Sequence, residues 1–213
     1  MQRIKKGSAR TWLSLIALVA VCVLLNNLGS RLNGLAGLPL YIDNIGTILA
    51  ALLGGYIPCI TVGFFSNLLN AFSNPVSIYY CVISVFIATA AALFAEKLRR
   101  LRIPHILLAV FTFALIGGSV GGLLTWLING LSFGEGAAVD MAAAIDRAVP
   151  VGYFPSNLIS CFIVDIADKA IVTAIALIIY KLLPKKLVGH LREFEWYYIN
   201  VVDTKERKLR KRA

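Results

Sequence analysis

The hydrophobic positions of the chain fall into six runs, each long enough or nearly long enough to cross a lipid bilayer as a helix. A spanning helix needs about 20 mostly apolar residues, because the hydrocarbon core is about 30 Å thick and a helix rises about 1.5 Å per residue. The runs cover residues 12–28, 38–55, 56–72, 76–95, 106–131 and 156–183. The first, fourth and fifth carry no charged residue. The pattern predicts an all-α integral membrane protein with a bundle of six transmembrane helices.

The connections between the runs are of two kinds, tight turns and longer loops. Gly54, Gly55 and Pro58 predict a sharp turn between the second and third runs, because glycine adopts unusual backbone angles and proline suits the first turn of a helix. The longer connections are residues 29–37 and 132–155, and residues 137–144 of the second predict a short surface helix. We expect both loops on the side of the membrane opposite the termini.

The composition and the placement of charge support this topology. The 213 residues are 59% hydrophobic and 15% charged, whereas soluble domains are about half apolar and about a quarter charged, so soluble and disordered proteins are excluded. Of the 21 Lys and Arg residues, 18 lie before residue 12, between 96 and 105, or from residue 181 onward. Basic loops favour the cytoplasm. We therefore expect a membrane protein with both termini cytoplasmic, a membrane domain over 1–183 and a basic tail over 184–213.

Polar side chains gather at the predicted outer ends of the helices. Asn67, Asn70 and Asn74 lie on one stripe of the third helix and the turn after it, because their spacing is i, i+3, i+7. Unpartnered amides are costly in hydrocarbon, so these groups should face one another or a wet cavity. The candidate substrate-binding residues are Asn33, Asp43, Asn67, Asn70, Asn74, Tyr79, Tyr80, Trp126, Asn129, Asn157 and Asp165.

Two interpretations of this polar set stay open. One is an outward-facing pocket for a small polar or aromatic solute, in which amides give hydrogen bonds and aromatic rings give stacking surfaces. The other is hydrogen bonding between helices together with an aromatic belt at the membrane interface. The concentration of the set on one side favours the pocket.

Asp165, Asp168 and Lys169 form a charge cluster inside the last run. Each charge at the membrane centre costs about 2.5–3.5 kcal/mol on insertion scales, so the three need partners or water. Asp165 and Lys169 are spaced i, i+4, which predicts an ion pair and leaves Asp168 over. The pair is either a structural bridge or a substrate or proton contact, and Asp165 is the more probable ligand because it lies nearer the outside.

The sequence offers no catalytic machinery. Residues 117–121 contain the G-x-S-x-G pattern of hydrolases, in which the serine needs a base. The two histidines of the chain, His105 and His190, are expected at or beyond the cytoplasmic boundary, whereas Ser119 is expected near the middle of the membrane. The glycines instead predict close helix packing. No phosphate-binding loop, dinucleotide fingerprint or paired metal-ligand spacing is present. We expect no catalytic residue, no cofactor and no metal, and no nucleic acid as a partner.

The stretch LPLYIDNIGTILAALLGGYIPCITVGFFSNLLNAFSNP resembles the core of the substrate-binding S components of energy-coupling-factor (ECF) importers. The resemblance extends more loosely over all six helices. The pattern that carries it is an outer Pro and Asp, a Gly-rich turn with Pro, and a Val-Gly pair followed by a polar helix end, represented here by Pro39, Asp43, Gly54, Gly55, Pro58, Val62, Gly63, Asn67 and Asn70.

The resemblance implies a subunit of the bacterial plasma membrane that captures a vitamin or similar nutrient from outside with high affinity. Its partners would be the ECF transmembrane coupling protein and two ATPase subunits, which alone would hydrolyse ATP. The family docks through an A-x-x-x-A face on its first helix, where this chain has Ser14, Ala17 and Ala20 spaced by three. Other small faces are Ala88 with Ala92 and Ala91 with Ala95.

A second resemblance gives the alternative function. The stretch I-D-x-I-G-T, here residues 42–47, is similar to membrane regions that precede histidine kinase or phosphatase domains in bacterial sensors. The 213 residues contain no such domain, which favours the importer subunit over a sensor or interaction domain.

Overall fold

The computed structural model describes residues 9–36 and 40–192, and over these residues the protein is all-helical, without a β-strand. The helices are α1 (Ala9–Ala36), α2 (Ile45–Gly54), α3 (Tyr56–Asn70), α4 (Cys81–Arg99), α5 (Ile103–Ala114), α6 (Gly121–Ile128), α7 (Ala137–Ala148) and α8 (Tyr153–Leu182). A 3₁₀ turn (Pro75–Ile78) precedes α4, and a π-helical segment (Leu115–Val120) joins α5 to α6. Two further helical turns cover residues 185–192.

Three helices of the described chain are long and apolar enough to cross a membrane. They are Trp12–Leu32, Cys81–Arg99 and the continuous helix Ile103–Ile128. They correspond to the first, fourth and fifth predicted runs, and a membrane protein is thereby supported. The π-helical segment connects α5 to α6 without a break, so that Ile103–Ile128 is one continuous helical span.

Helix α2 is the core of the bundle, and all ten of its residues are buried. It packs against α1, α3, α4 and α8. A helix that is apolar on every side belongs inside a protein, which is the pattern of residues 45–54. The predicted turn to α3 is confirmed, because Gly55 adopts φ 75° and donates its N–H to the Ala51 carbonyl. Arg99 donates to the Leu52 carbonyl (2.9 Å) and so satisfies the C-terminal end of α2.

The boundaries of the first two predicted helices are wrong in related ways. The loop predicted over residues 29–37 is helical through Ala36, and the helix predicted from residue 38 begins only at Ile45. Residues 40–44 are extended or irregular, with Ile42 at φ 46°. Gly29 allows the segment around Ile42 to lie this close to α1, since any Cβ at position 29 would overlap the Ile42 carbonyl oxygen. The irregular segment therefore lies directly against α1.

The glycine-rich segment packs closely on α8, as the sequence predicts. A Cβ on Gly118 would lie 2.6 Å from the Cα of Phe162, and one on Gly122 would lie 3.3 Å from the Cβ of Cys161. Contacts at these distances leave room only for hydrogen. Gly118 and Gly122, one of the two predicted small-x-x-x-small pairs, therefore serve the crossing with α8, whereas Gly121 has no neighbour nearer than 4.0 Å.

The alanine faces of α4 are not free for docking. Ala88, Ala91 and Ala95 are buried within the bundle, and the Cβ position of Gly63 on α3 lies 3.5 Å from the Cβ of Ala88. These small residues are used to bring α3 and α4 together. On α1, by contrast, Ala17 is exposed.

The predicted surface helix is present and longer than expected, as α7 (Ala137–Ala148), and it packs along α8. The start of the predicted tail also contacts the bundle. Leu191 is buried, and Ser14 and His190 are hydrogen-bonded at 3.1 Å. The rest of the predicted tail lies outside the described residues. Two ends of the bundle are named below: the amide end contains Asn74, Asn129 and Gly136, and the basic end contains Arg99, His105 and Lys181.

Candidate functional site

A cavity of about 720 Å³ opens at the amide end of the bundle. Its mouth is formed by exposed residues of the 3₁₀ turn and of the loop before α7, such as Asn74 and Glu135. Its floor is buried and contains polar groups from α3, α4 and α8. Seven of the eleven predicted binding residues line it: Asp43, Asn67, Asn70, Asn74, Tyr80, Asn129 and Asp165.

The other four predicted residues are not part of the cavity wall that the structure describes. Tyr79 is 55% exposed and lies outside the cavity. Trp126 stacks edge-on against Phe154, with ring centroids 4.9 Å apart. Asn157 is buried and donates to the Tyr153 carbonyl (2.8 Å), so it serves the first turn of α8. Asn33 lies in α1, and its side chain is outside the described residues.

The amides of the cavity differ in whether the protein already satisfies them. Asn67 donates to Ser84 Oγ (2.6 Å) and to the Gly63 carbonyl (3.3 Å), which links α3 to α4. Asn74 Oδ1 accepts from the Val76 N–H (3.2 Å) and so begins the 3₁₀ turn. The side-chain amides of Asn70 and Asn129 make no hydrogen bond to a described residue, although both line the cavity. These two amides are available to a solute.

Other polar groups at this level hold helices together, as the alternative interpretation requires. Asn26 on α1 donates to Thr47 Oγ and to Ser66 Oγ, both at 2.9 Å. Its Oδ1 accepts from the Gly46 N–H at 2.6 Å. Asn26 does not line the cavity. Both interpretations of the amides therefore apply, each to a different subset.

The charge cluster forms one side of the floor. Lys169 Nζ lies 3.1 Å from Asp165 Oδ1, which confirms the predicted ion pair. Asp168 is not left over, since its Oδ2 also accepts from Lys169. Its Oδ1 accepts from the backbone N–H groups of Tyr41 (3.0 Å) and Ile42 (2.8 Å). Asp168 thus anchors the irregular segment 40–44 to α8, because those N–H groups have no helix to bond them.

Sequence reasoning missed several lining residues. Tyr41 and Asn44 line the cavity because residues 40–44 leave the helix, which the apolar pattern did not indicate. Thr125 lines it from α6 and is hydrogen-bonded to the Tyr80 hydroxyl at 2.7 Å. Lys169 and Cys161 line it from α8. For Thr125, its place one turn before Asn129 was the available signal, since residues four apart share a helix face.

The cavity is suited to reversible binding of a small molecule. Its volume lies within the usual range for ligand pockets, about 300–1,000 Å³. Among the described residues, no group of three or more His, Cys, Asp and Glu side chains is arranged to hold a metal ion. Ser119 does not line the cavity. Comparison of the chain with protein-family models, curated proteins and solved structures found no match.

Proposed function

We propose that the protein is the membrane binding subunit of an ECF-type importer, which captures a vitamin or related metabolite from outside with high affinity. The observation that carries the proposal is the cavity at the amide end, because it joins a buried polar floor to an exposed mouth. Asn70 and Asn129 supply unoccupied amides, and Tyr80 supplies an aromatic surface. Binding sites of this kind combine an enclosed volume with a few orienting polar groups.

The proposed topology places the cavity on the outer face. In the proposed six-helix topology, α2 and α3 are the second and third membrane helices, and with ten and 15 residues each is shorter than the hydrocarbon core. Helix α2 is buried within the bundle, whereas α3 has one exposed face. Helix α8 has 30 residues, or about 45 Å at the rise of an α-helix, and would make the sixth crossing. The basic end then faces the cytoplasm by the distribution of Lys and Arg. The amide end consequently faces the exterior.

Energy for release would come from partners, namely the ECF coupling protein and its two ATPase subunits. This part of the proposal rests on the sequence resemblance. The exposed α1 surface that includes Ala17 is the place where coupling would occur, since the α4 alanines are buried.

A second candidate is a sensor or interaction domain, favoured by the contact between the start of the tail and the bundle. Arg192 lies 3.4 Å from Glu96 at the end of α4, and Leu191 is buried. Movement of the helices would thereby reach the tail. Deletion of residues 193–213 separates the candidates, because an importer subunit should keep solute binding and uptake, whereas a signalling module should lose its output.

The binding function is tested by mass spectrometry of what the purified chain retains from cells. The chain is isolated in mild detergent, washed and denatured, and the released small molecules and accompanying proteins are identified. We expect one compound in near-stoichiometric amount with the wild type, and little with Asn70→Leu or Asn129→Leu. Asn27→Leu is the matched control, since Asn27 is buried in α1 outside the cavity. Equal retention by all four chains, or by none, would reject the proposed site.

A further inference from the structure

The cavity carries an excess of negative charge. Its charged lining residues are Asp43, Glu135, Asp165 and Lys169, which are three acids and one base. No arginine is among them. Glu135 is exposed at the mouth and has no ion-pair partner among the described residues, while the other three lie deeper. An anionic group entering this space would meet repulsion from three carboxylates in a partly dehydrated setting, where charge interactions are stronger than in water.

The single base does not offset the acids. Lys169 shares its ammonium group between Asp165 and Asp168, both buried on the same helix. Asp168 lies outside the cavity wall but belongs to the same cluster. With Asp168 included, three buried or half-buried acids surround the Lys169 amine, and Glu135 adds a fourth acid at the mouth.

Two residues that line the cavity each carry a buried acceptor oxygen without a donor among the residues that the structure describes. Asn44 Oδ1 and Asp165 Oδ2 are buried and make no hydrogen bond, although Asn44 Nδ2 donates to Asp43 and Asp165 Oδ1 binds Lys169. Asp165 Oδ2 rests against Gly117, which also lines the cavity. A buried polar group without a hydrogen-bond partner is unfavourable, and more so when it is charged. Both unmet groups are acceptors, so the missing partner is a donor.

We propose that the captured solute is a positively charged organic amine or amidine, held by the carboxylates of Asp43 and Asp165 and by the Asn44 carbonyl oxygen. This inference rests on the proposed function and specifies its substrate class. A cationic nitrogen supplies both the charge and the N–H donors that the wall lacks. Tyr41 and Tyr80 line the same space, and aromatic faces attract such cations. A bare metal ion fits less well, since the described acids are not grouped as metal ligands.

The test uses a bacterial metabolite extract separated at pH 7 on a cation exchanger. The retained fraction holds net-cationic compounds, and the flow-through holds neutral, zwitterionic and anionic ones. The purified full chain is heated with each fraction, and its unfolding midpoint is measured. NaCl and KCl at equal ionic strength are run in parallel. We expect only the retained fraction to raise the midpoint.

Each other outcome overturns a defined part of the account. Stabilisation by the flow-through, alone or together with the retained fraction, overturns the charge preference and leaves a binding protein. Stabilisation by NaCl or KCl alone overturns the organic cation in favour of an inorganic one. No response to any fraction overturns the binding function itself, and the charge preference with it.

Variants locate the effect in the wall. Asp43→Asn keeps the shape of a half-buried side chain and one of its two acceptor oxygens while removing its charge. Hydrogen bonds to charged groups contribute about 1.5–3 kcal/mol, so the amount of retained fraction needed for half-maximal stabilisation should rise about 10- to 100-fold. Asp140→Asn is the matched control, because Asp140 is exposed on α7 and does not line the cavity. Equal responses of the two variants would overturn the role of Asp43.

Discussion

Replacing Asn26 by leucine should destabilise the bundle more than any comparable change at a neighbouring amide. Asn26 joins three helices: its Nδ2 donates to Thr47 on α2 and to Ser66 on α3, and its Oδ1 accepts from Gly46 N–H. That N–H is one of the first donors of α2, which have no partner within their own helix. Asn44, the N-cap residue, makes no side-chain capping bond. An amide from α1 thus caps a buried helix.

The magnitude follows from the bonds that are lost. A buried backbone donor left unsatisfied costs about 1–3 kcal/mol. Each of the two side-chain bonds adds about 0.6 kcal/mol, the average for hydrogen bonds between membrane helices. Asn26→Leu should therefore lower the free energy of unfolding by about 2–4 kcal/mol. Asn27→Leu removes only a bond to the Val23 carbonyl within α1, and should change it by less than about 1 kcal/mol.

The assay is a titration of the detergent-solubilised chain with sodium dodecyl sulfate, read through its own cysteines. Cys22, Cys59 and Cys81 are buried thiols, so a thiol-reactive dye labels them only on unfolding. A Cys161→Ser background removes the half-buried fourth thiol. Equal destabilisation by Asn26→Leu and Asn27→Leu, or no effect of the first, would refute the capping role.

Two further changes test the packing and the charge cluster. Gly46→Ala should prevent folding, because its Cβ would overlap the Cys22 carbonyl oxygen and lie 2.6 Å from the carbonyl carbon. Gly34→Ala on the open surface of α1 is the control, and it should be neutral or stabilise the protein by up to about 1 kcal/mol. The two variants are compared by their yield of monodisperse protein. Lys169→Met should lower the free energy of unfolding by about 3–5 kcal/mol in the same titration, because it leaves Asp165 buried without its cation. A free energy of unfolding equal to that of the wild type would contradict this expectation, because removal of the cation would then cost no stability.

The sequence predicted the long helices well, because a long run of apolar residues directly indicates a helix in apolar surroundings. It failed at residues 29–36, where glycine- and asparagine-containing sequence continues α1, and at residues 40–44, which lie outside the helix that the apolar pattern predicted. The reason is tertiary: Asp168, more than 120 positions away, holds the N–H groups of Tyr41 and Ile42. No local pattern reveals a hydrogen bond of that range.

The candidate site was predicted in part for a similar reason. Asn67, Asn70 and Asn74 lie together because their spacing fixes one face of α3 and the turn that follows. Tyr79 and Tyr80 are adjacent and were not distinguishable by depth, yet only Tyr80 lines the cavity. Which amides remain free for a solute depends on partners from other helices, such as Ser84 for Asn67, and this requires the fold.

The proposal that the cavity receives a solute from outside is tested most directly at Cys161. This thiol lines the cavity, whereas the other three cysteines are buried. Intact cells are treated with a membrane-impermeant thiosulfonate, with and without metabolite extract, and modification of the Cys161 peptide is measured by mass spectrometry, with Cys161→Ser as the blank. The account predicts modification in intact cells and protection by the extract. Modification only after the cells are permeabilised, or modification that the extract leaves unchanged, would contradict it.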